Sequence, residues 1–229
     1  ILHDIGDGVL CLEFTSPNNT IWEGVVKGIN EAIELAETEG WQGLVIGNND
    51  TNFSVGANLM LMAMLAFQQE FDDLNMASHT LQQTVMRCRY SSIPVVAATQ
   101  GYVFGGGIEL GMHCDSVVAS AESYVGLVEA GVGLIPGGGG TKEFALRASD
   151  AFHEGDVMIP TLIDKFKTIA TASVATSAHE AFHYDYLQAH RDRVVMNKDR
   201  AIAEAKKRVI RMAEHYTPPI PRKDITVLG

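Results

Sequence analysis

Hydrophobic positions along the chain fall into two spacings that take turns. Residues 8–14 (GVLCLEF) form a short β-prone run, closed by Ser16-Pro17-Asn18-Asn19. From Ile21 to Ala36, apolar Ile21, Val25, Val26, Ile29, Ala32, Ile33 and Ala36 recur at helical spacing, with acidic residues on the other face and Gly40 as a stop. GLVIG (43–47) reads as a buried strand running into a polar turn at 48–52. Helical spacing returns over 59–90, rich in Met and Leu, and Pro94 opens the strand PVVAAT (94–99). Strand and helix in alternation predict an α/β protein with parallel pairing.

The later pattern differs. Residues 100–140 are dense in glycine, so the backbone turns tightly or approaches something closely. A helix is expected at 141–148, then helices at roughly 160–172, 177–185 and 198–214, with the apolar run RVV (193–195) between the last two. A soft boundary near 150 separates an α/β core (1–150) from a helical C-terminal part of the same domain (151–216), and the proline-rich 217–229 reads as a linker-like tail. The chain opens at Ile1 and enters a strand at once, as a piece of a longer or processed protein would.

Charge narrows the partners. With 17 Lys+Arg against 28 Asp+Glu, the net charge of −11 argues against nucleic acid, which needs a basic surface. Lys198, Arg200, Lys206, Lys207, Arg208 and Arg211 cluster late in the chain, where a solvated helix face is the expectation. No apolar run approaches the ~20 residues of a membrane span. Cys11, Cys88 and Cys114 are scattered and odd in number, which suits neither a disulfide framework nor a cysteine metal site. The first thirty residues lack a secretory pattern, so the sequons at Asn18, Asn49 and Asn52 carry no weight and the expected compartment is the cytoplasm.

His179-Glu180-Ala181-Phe182-His183 is a literal H-E-x-x-H, the spacing of a helical zinc site. The extended form fails at Tyr186 and Ala189, and Ser177-x-x-Glu180 offers a simpler reading as a helix capping box. GVGLIPGGGGTK satisfies neither nucleotide-binding fingerprint, although its turn presents backbone N–H groups at a helix start. No G-x-S-x-G elbow occurs. Two further stretches, Asn52–Leu59 and Gly101–Leu110, each follow a strand and open a helix, leaving free N–H groups suited to a developing oxyanion. Glu109 and Glu129 each stand alone among apolar and glycine residues, where a carboxylate needs a partner or a task.

Taken in order, SVGAN (54–58), PVVAATQGYVFGGGIEL (94–110), CDSVVAS (114–120) and GLVEAGVGLIPGGGGT (126–141) resemble the enoyl-CoA hydratase/isomerase (crotonase) family. The resemblance covers about 5–147 clearly and 170–188 more weakly. The GLVEAGVGLIPGGGG-x-K-E form is similar to the hydratase domain of bacterial fused 3-hydroxyacyl-CoA dehydrogenases. It implies a crotonase-like spiral of ββα turns with a helical C-terminal part, assembled as a homotrimer or hexamer. It places an oxyanion hole at the N–H groups of Ala57 and Gly106, catalytic carboxylates at Glu109 and Glu129, and substrate-binding positions at Ser54, Gly56, Asn58, Gly105, Pro136 and Gly137. The implied partners are an acyl-CoA thioester and the dehydrogenase domain of a parent chain. No cofactor is implied, since CoA enters as part of the substrate. Asn58 replaces a common Asp, 148–165 match poorly, and the chain stops before the family's last helices. Alternatives are an enoyl-CoA isomerase, a non-catalytic acyl-CoA-binding or assembly domain, and a zinc hydrolase through His179 and His183.

Overall fold

The computed structural model describes residues 1–227. In chain order the first elements are β1 (Leu2–Asp4), β2 (Val9–Leu12), α1 (Glu23–Thr38), β3 (Gly43–Ile46), α2 (Leu59–Phe67) and α3 (Phe71–Arg89). They are followed by β4 (Val95–Thr99), β5 (Tyr102–Phe104), α4 (Gly106–His113), β6 (Ser116–Ser120) and β7 (Tyr124–Gly126). The last are α5 (Gly140–Ala151), α6 (Met158–Ala170), β8 (Val174–Ala175), α7 (Ala178–His183), β9 (Arg193–Val195) and α8 (Ala201–Ala213).

The main sheet has the order β1-β2-β3-β4-β6-β9, and a smaller sheet the order β5-β7-β8. Among the described residues only β1 runs antiparallel in the main sheet; the register pairs Val45 with Val96, Ala97 with Val117 and Ala119 with Val194. A parallel bridge from Ser54 to Val103 extends the small sheet by one more crossing of the chain. Each turn of the fold thus runs through the main sheet, then the small sheet, then a helix: β4-β5-α4 and β6-β7-α5 repeat the path of β3, Ser54 and α2. This is the expected spiral of ββα turns.

Alternation along the parallel strands feeds two cores. Leu10, Leu44, Ile46, Ala97 and Val117 face the larger one, with Ile29 and Ile33 of α1 and Ile108 and Met112 of α4. Val9, Cys11, Val45, Val96 and Val118 face the other way and are covered by Ala201, Ala205 and Val209 of α8. The residues after 150 therefore add β8, β9 and a face-covering helix, besides α6 and α7. Residues 217–227 have no helix or strand, but Arg222 pairs with Asp150 and Thr226 N–H bonds to Ser149 Oγ at 2.8 Å.

The expected helix over 59–90 is broken in two. Gln69 takes φ +60°, and Gln68, Gln69 and Glu70 bond back to Met64, Ala66 and Leu65. α2 is apolar on every side and lies on the surface, with Met60 81% and Phe67 92% exposed, so no packing stripe holds it in line with α3. The small-sheet strands, of three residues or fewer, were not marked by the pattern, being too short to display an alternation.

Candidate active site

Two glycine-bearing turns meet at the junction of the sheets. Ser54 is fully buried; its hydroxyl donates to the Asn19 carbonyl at 2.7 Å and accepts from Gly56 N–H at 3.1 Å. Its side chain shapes the turn on which this expected substrate-binding position lies. Gly56 follows at φ +92°, where a Cβ would stand 2.9 Å from the Phe104 carbonyl and 3.2 Å from Gly106 N. Only glycine allows this approach. Asn58 caps α2, its Oδ1 accepting from Leu61 N–H at 3.1 Å. The second turn places Gly105 at φ +50° and opens α4 at Gly106, whose N–H lacks an intrahelical acceptor because it is the helix's first residue. A Cβ on Gly106 would lie 3.7 Å from Ala57 N. The backbone nitrogens of Ala57 and Gly106 are thereby neighbours at two helix starts, an arrangement that favours negative charge on an atom placed between them.

The two carboxylates reach this ledge from different turns of the spiral. Glu109 lies in the first turn of α4 and is 2% exposed, with Oε1 accepting from Gly140 N–H at 2.8 Å. A Cβ at Gly138 would overlap Glu109 Oε2. Burial first, and the neighbouring Glu129 second, push the Glu109 pKa up to about 7, against the pull of backbone donors at Gly138, Gly139 and Gly140. Glu129 begins a 3₁₀ turn (Glu129–Val132) at the end of the small sheet. Its Oε1 packs against Gly105, where a Cβ would come within 3.0 Å. Its Oε2 is buried and meets no hydrogen-bond donor among the described residues, and burial raises its pKa as well. Burial thus raises both carboxyls, and the charge of Glu129 further disfavours ionisation of Glu109. One acid and one base next to a pair of N–H donors can move protons at carbons beside a carbonyl.

Pro136 and Gly137 lie on the loop leading to α5 and serve it through their carbonyls. Pro136 accepts from Thr141 Oγ1 at 3.3 Å and Gly137 from Gln82 Nε2 at 2.8 Å. Tyr186 escaped sequence reasoning. Its hydroxyl donates to the Ser173 carbonyl at 2.7 Å and accepts from Leu127 N–H at 3.3 Å, fixing the strand end that carries Glu129. The buried Glu143, one turn from Glu109's donors, was also missed; its only signal was the Lys-Glu that follows the glycine run.

The histidines of H-E-x-x-H sit on the short α7. Ser177 Oγ accepts from Glu180 N–H at 3.1 Å, and Glu180 Oε2 accepts from Thr176 N–H at 2.7 Å. The glutamate is engaged as a helix cap, its return bond made one residue earlier than in the standard box. Among the late basic residues, Lys207 and Arg200 pair with Glu204 on the surface, whereas Lys206 reaches Asp7 and the Ile5 carbonyl. Among the described residues no helix is long and apolar enough to cross a membrane.

Comparison with known proteins gives the same outline. The family model for enoyl-CoA hydratase/isomerase matches residues 4–161. A probable 3-hydroxyacyl-CoA dehydrogenase of Bacillus subtilis is 38% identical over 223 residues, which are 97% of this chain and 28% of that protein. A mitochondrial enoyl-CoA hydratase of Pongo abelii is 32% identical over 136 residues, 59% of this chain and 45% of that one. The chain thus spans less than half the length of either relative. Among solved structures, an enoyl-CoA hydratase from Polaromonas sp. JS666 superposes with a TM-score of 0.77 at 20% identity, covering 93% of this chain and 76% of that chain, a likeness of fold.

Proposed function

The chain belongs to the enoyl-CoA hydratase/isomerase family, and from that premise we propose that it adds water reversibly to trans-2-enoyl-CoA thioesters in fatty-acid β-oxidation, as the hydratase domain of a multifunctional 3-hydroxyacyl-CoA dehydrogenase. The observation that carries this reading is the convergence of the buried Glu109 and the half-buried Glu129, both with raised carboxyl pKa values, on the paired N–H groups of Ala57 and Gly106.

In this reading the thioester carbonyl accepts hydrogen bonds from Ala57 and Gly106. Glu109 takes a proton from water as the water oxygen bonds to C3, and the π electrons move through C2 onto the carbonyl oxygen, where the two donors hold the enolate. Glu129 delivers its proton to C2, the enolate collapses, and exchange with solvent resets the pair. The base is assigned to Glu109 and the acid to Glu129 as the family resemblance implies, and Gly140 N–H is the donor that meets the Glu109 anion once it forms. An isomerase needs one carboxylate as a shuttle, and the presence of two favours hydration. The reading calls for no metal or organic cofactor, because CoA is part of the substrate. It includes a cytoplasmic location and assembly as a homotrimer or hexamer, which the exposed Phe67, Phe71 and Phe166 support as surfaces for burial between copies.

The test is hydration of crotonyl-CoA, followed by loss of the enoyl-thioester absorbance. Wild type is expected to be active, and Glu109→Gln and Glu129→Gln each to lose about 10²-fold or more. An inactive wild type whose acyl-CoA binding survives both substitutions would replace this reading with a binding or assembly domain.

A further inference from the structure

The first turn of α5 has two duties. At its start, Gly140 N–H meets Glu109; three residues on, Glu143 is 2% exposed and collects cations from α3 and α5 beside a histidine of α4. Glu143 Oε2 lies 2.7 Å from Arg89 Nη2 of α3 and 3.8 Å from Arg147 Nη2, one turn along α5. Its Oε1 lies 2.6 Å from Lys142 Nζ and 3.5 Å from His113 Nε2 of α4. His113 stands one turn after Glu109, with Nδ1 2.7 Å from the Glu109 carbonyl oxygen. That oxygen only accepts, so Nδ1 carries the proton. The same ring presses on Gly139, where a Cβ would come within 2.7 Å of Cε1. Helices α3, α4 and α5 therefore meet at one carboxylate, immediately behind the donors of Glu109.

This cluster is not what stability alone favours. Among the described residues Arg89 Nε, Arg147 Nε, Arg147 Nη2 and His113 Nε2 are buried without a hydrogen-bond partner. A buried network left partly unsatisfied is worse for stability than apolar packing of similar volume. What it does provide is a fixed relation between α5 and α4. We propose that Glu143 is a positioning residue: it holds Arg89, whose Nη2 also donates to the Met112 carbonyl of α4 at 2.9 Å, and with Lys142 and Arg147 of its own helix it thereby clamps the first turn of α5 against α4 and fixes the Gly140 N–H on the Glu109 carboxylate.

The charges agree with the geometry. Burial pushes His113 down to about 3, with Lys142 and Arg89 adding to the effect and Glu143 opposing it, so His113 is neutral. Burial alone would raise Glu143, yet it is held well below 4.5, and with His113 neutral the charge that holds it comes from Arg89 and Lys142. Beyond Arg147 the charged groups Asp185, Arg191 and Asp192 face the cluster, while Glu129 faces Glu109 itself.

The test reads Glu109 directly and rests on the hydratase reading only for its kinetic arm. Glu143→Gln keeps shape and removes charge. In ¹³C-carboxyl NMR of glutamate-labelled protein, with Glu109 assigned through Glu109→Gln, its titration is expected to move up by about half a pH unit or more as the donors withdraw from the anion. For crotonyl-CoA hydration, kcat is expected to fall about tenfold with KM within about threefold, the acid limb moving up in step, and Glu143→Asp recovering part of each loss. An unmoved Glu109 titration in a folded Glu143→Gln protein overturns the proposal. Should that variant fail to fold, Arg89→Gln breaks the tie to α3 while Lys142 still pairs Glu143; it must shift Glu109 in the same direction, and an unchanged titration refutes the clamp. If wild type fails to hydrate crotonyl-CoA, the proposed reaction falls, and the NMR titration still decides the role of Glu143.

Discussion

Glu109→Gln is expected to make the protein more stable as it makes it inactive. Folding raises the Glu109 pKa from 4.5 to about 7, through burial and then the charge of Glu129. The folded chain binds a proton that the unfolded chain releases between those values, so stability falls as the pH climbs through the window. At ~1.36 kcal/mol per pH unit, the ionised carboxyl costs the fold under about 1 kcal/mol at about pH 5 and ~3 kcal/mol at about pH 9. Gln stands in for the neutral acid and still accepts from Gly140 N–H, but it cannot ionise. Urea unfolding, followed by the fluorescence of Trp22 and Trp41, should show the variant gaining about 2.5 kcal/mol on wild type between about pH 5 and pH 9, or roughly 5–10 °C in Tm. Taking the difference between two pH values removes any cost of the substitution that does not depend on ionisation. Parallel stability curves across the range would refute the reasoning, because they would mean that Glu109 titrates as an ordinary exposed carboxyl.

Two other substitutions separate site from scaffold. Gly105→Ala puts a Cβ at φ +50° and within 3.0 Å of Glu129 Oε1. It should cost more than about 1 kcal/mol in urea unfolding and lower kcat/KM for crotonyl-CoA about tenfold or more, and activity within twofold of wild type would show that Glu129 need not stay where it is. Ser177→Ala removes the cap of α7 and should cost about 1 kcal/mol. The double substitution of His179 and His183 by Ala should leave hydration within about twofold, and a loss matched by metal content in wild type would revive the zinc reading.

Much of this was legible where a signal repeats locally. The 3.6-residue spacing from Ile21 onward became α1, with Val26, Ile29, Ala32, Ile33 and Ala36 buried. GLVIG and PVVAAT became central strands buried on both faces, which is why their apolar runs are continuous. Glu109 stood out because a carboxylate in FGGGIELGM has no local partner. Glu143 did not, because Arg89 and His113 come to it from two other helices and no spacing joins them. The part Ser54 plays in its turn was hidden for a related reason: its acceptor is the Asn19 carbonyl, 35 residues back, so its burial depends on a long-range contact. The break at Gln68–Glu70 escaped because helical propensity continues across it. Neither Gly nor Pro marks the turn that Gln69 makes at φ +60°.

The strap made by α8 also sets an order of events. It lies on the face of the main sheet formed by Val9, Cys11, Val45, Val96 and Val118, and its Lys206 donates to the carbonyl of Ile5 across 201 residues of chain. During synthesis the first strands leave the ribosome long before their cover does. In that interval one side of the growing parallel sheet is a bare valine-rich surface, slow to pair and prone to stick to other chains. Translation must pass Val209 before the earliest strands are shielded on both sides, so a ribosome that stalls near residue 195 would release a chain holding both carboxylates and most of its core, yet dependent on chaperones.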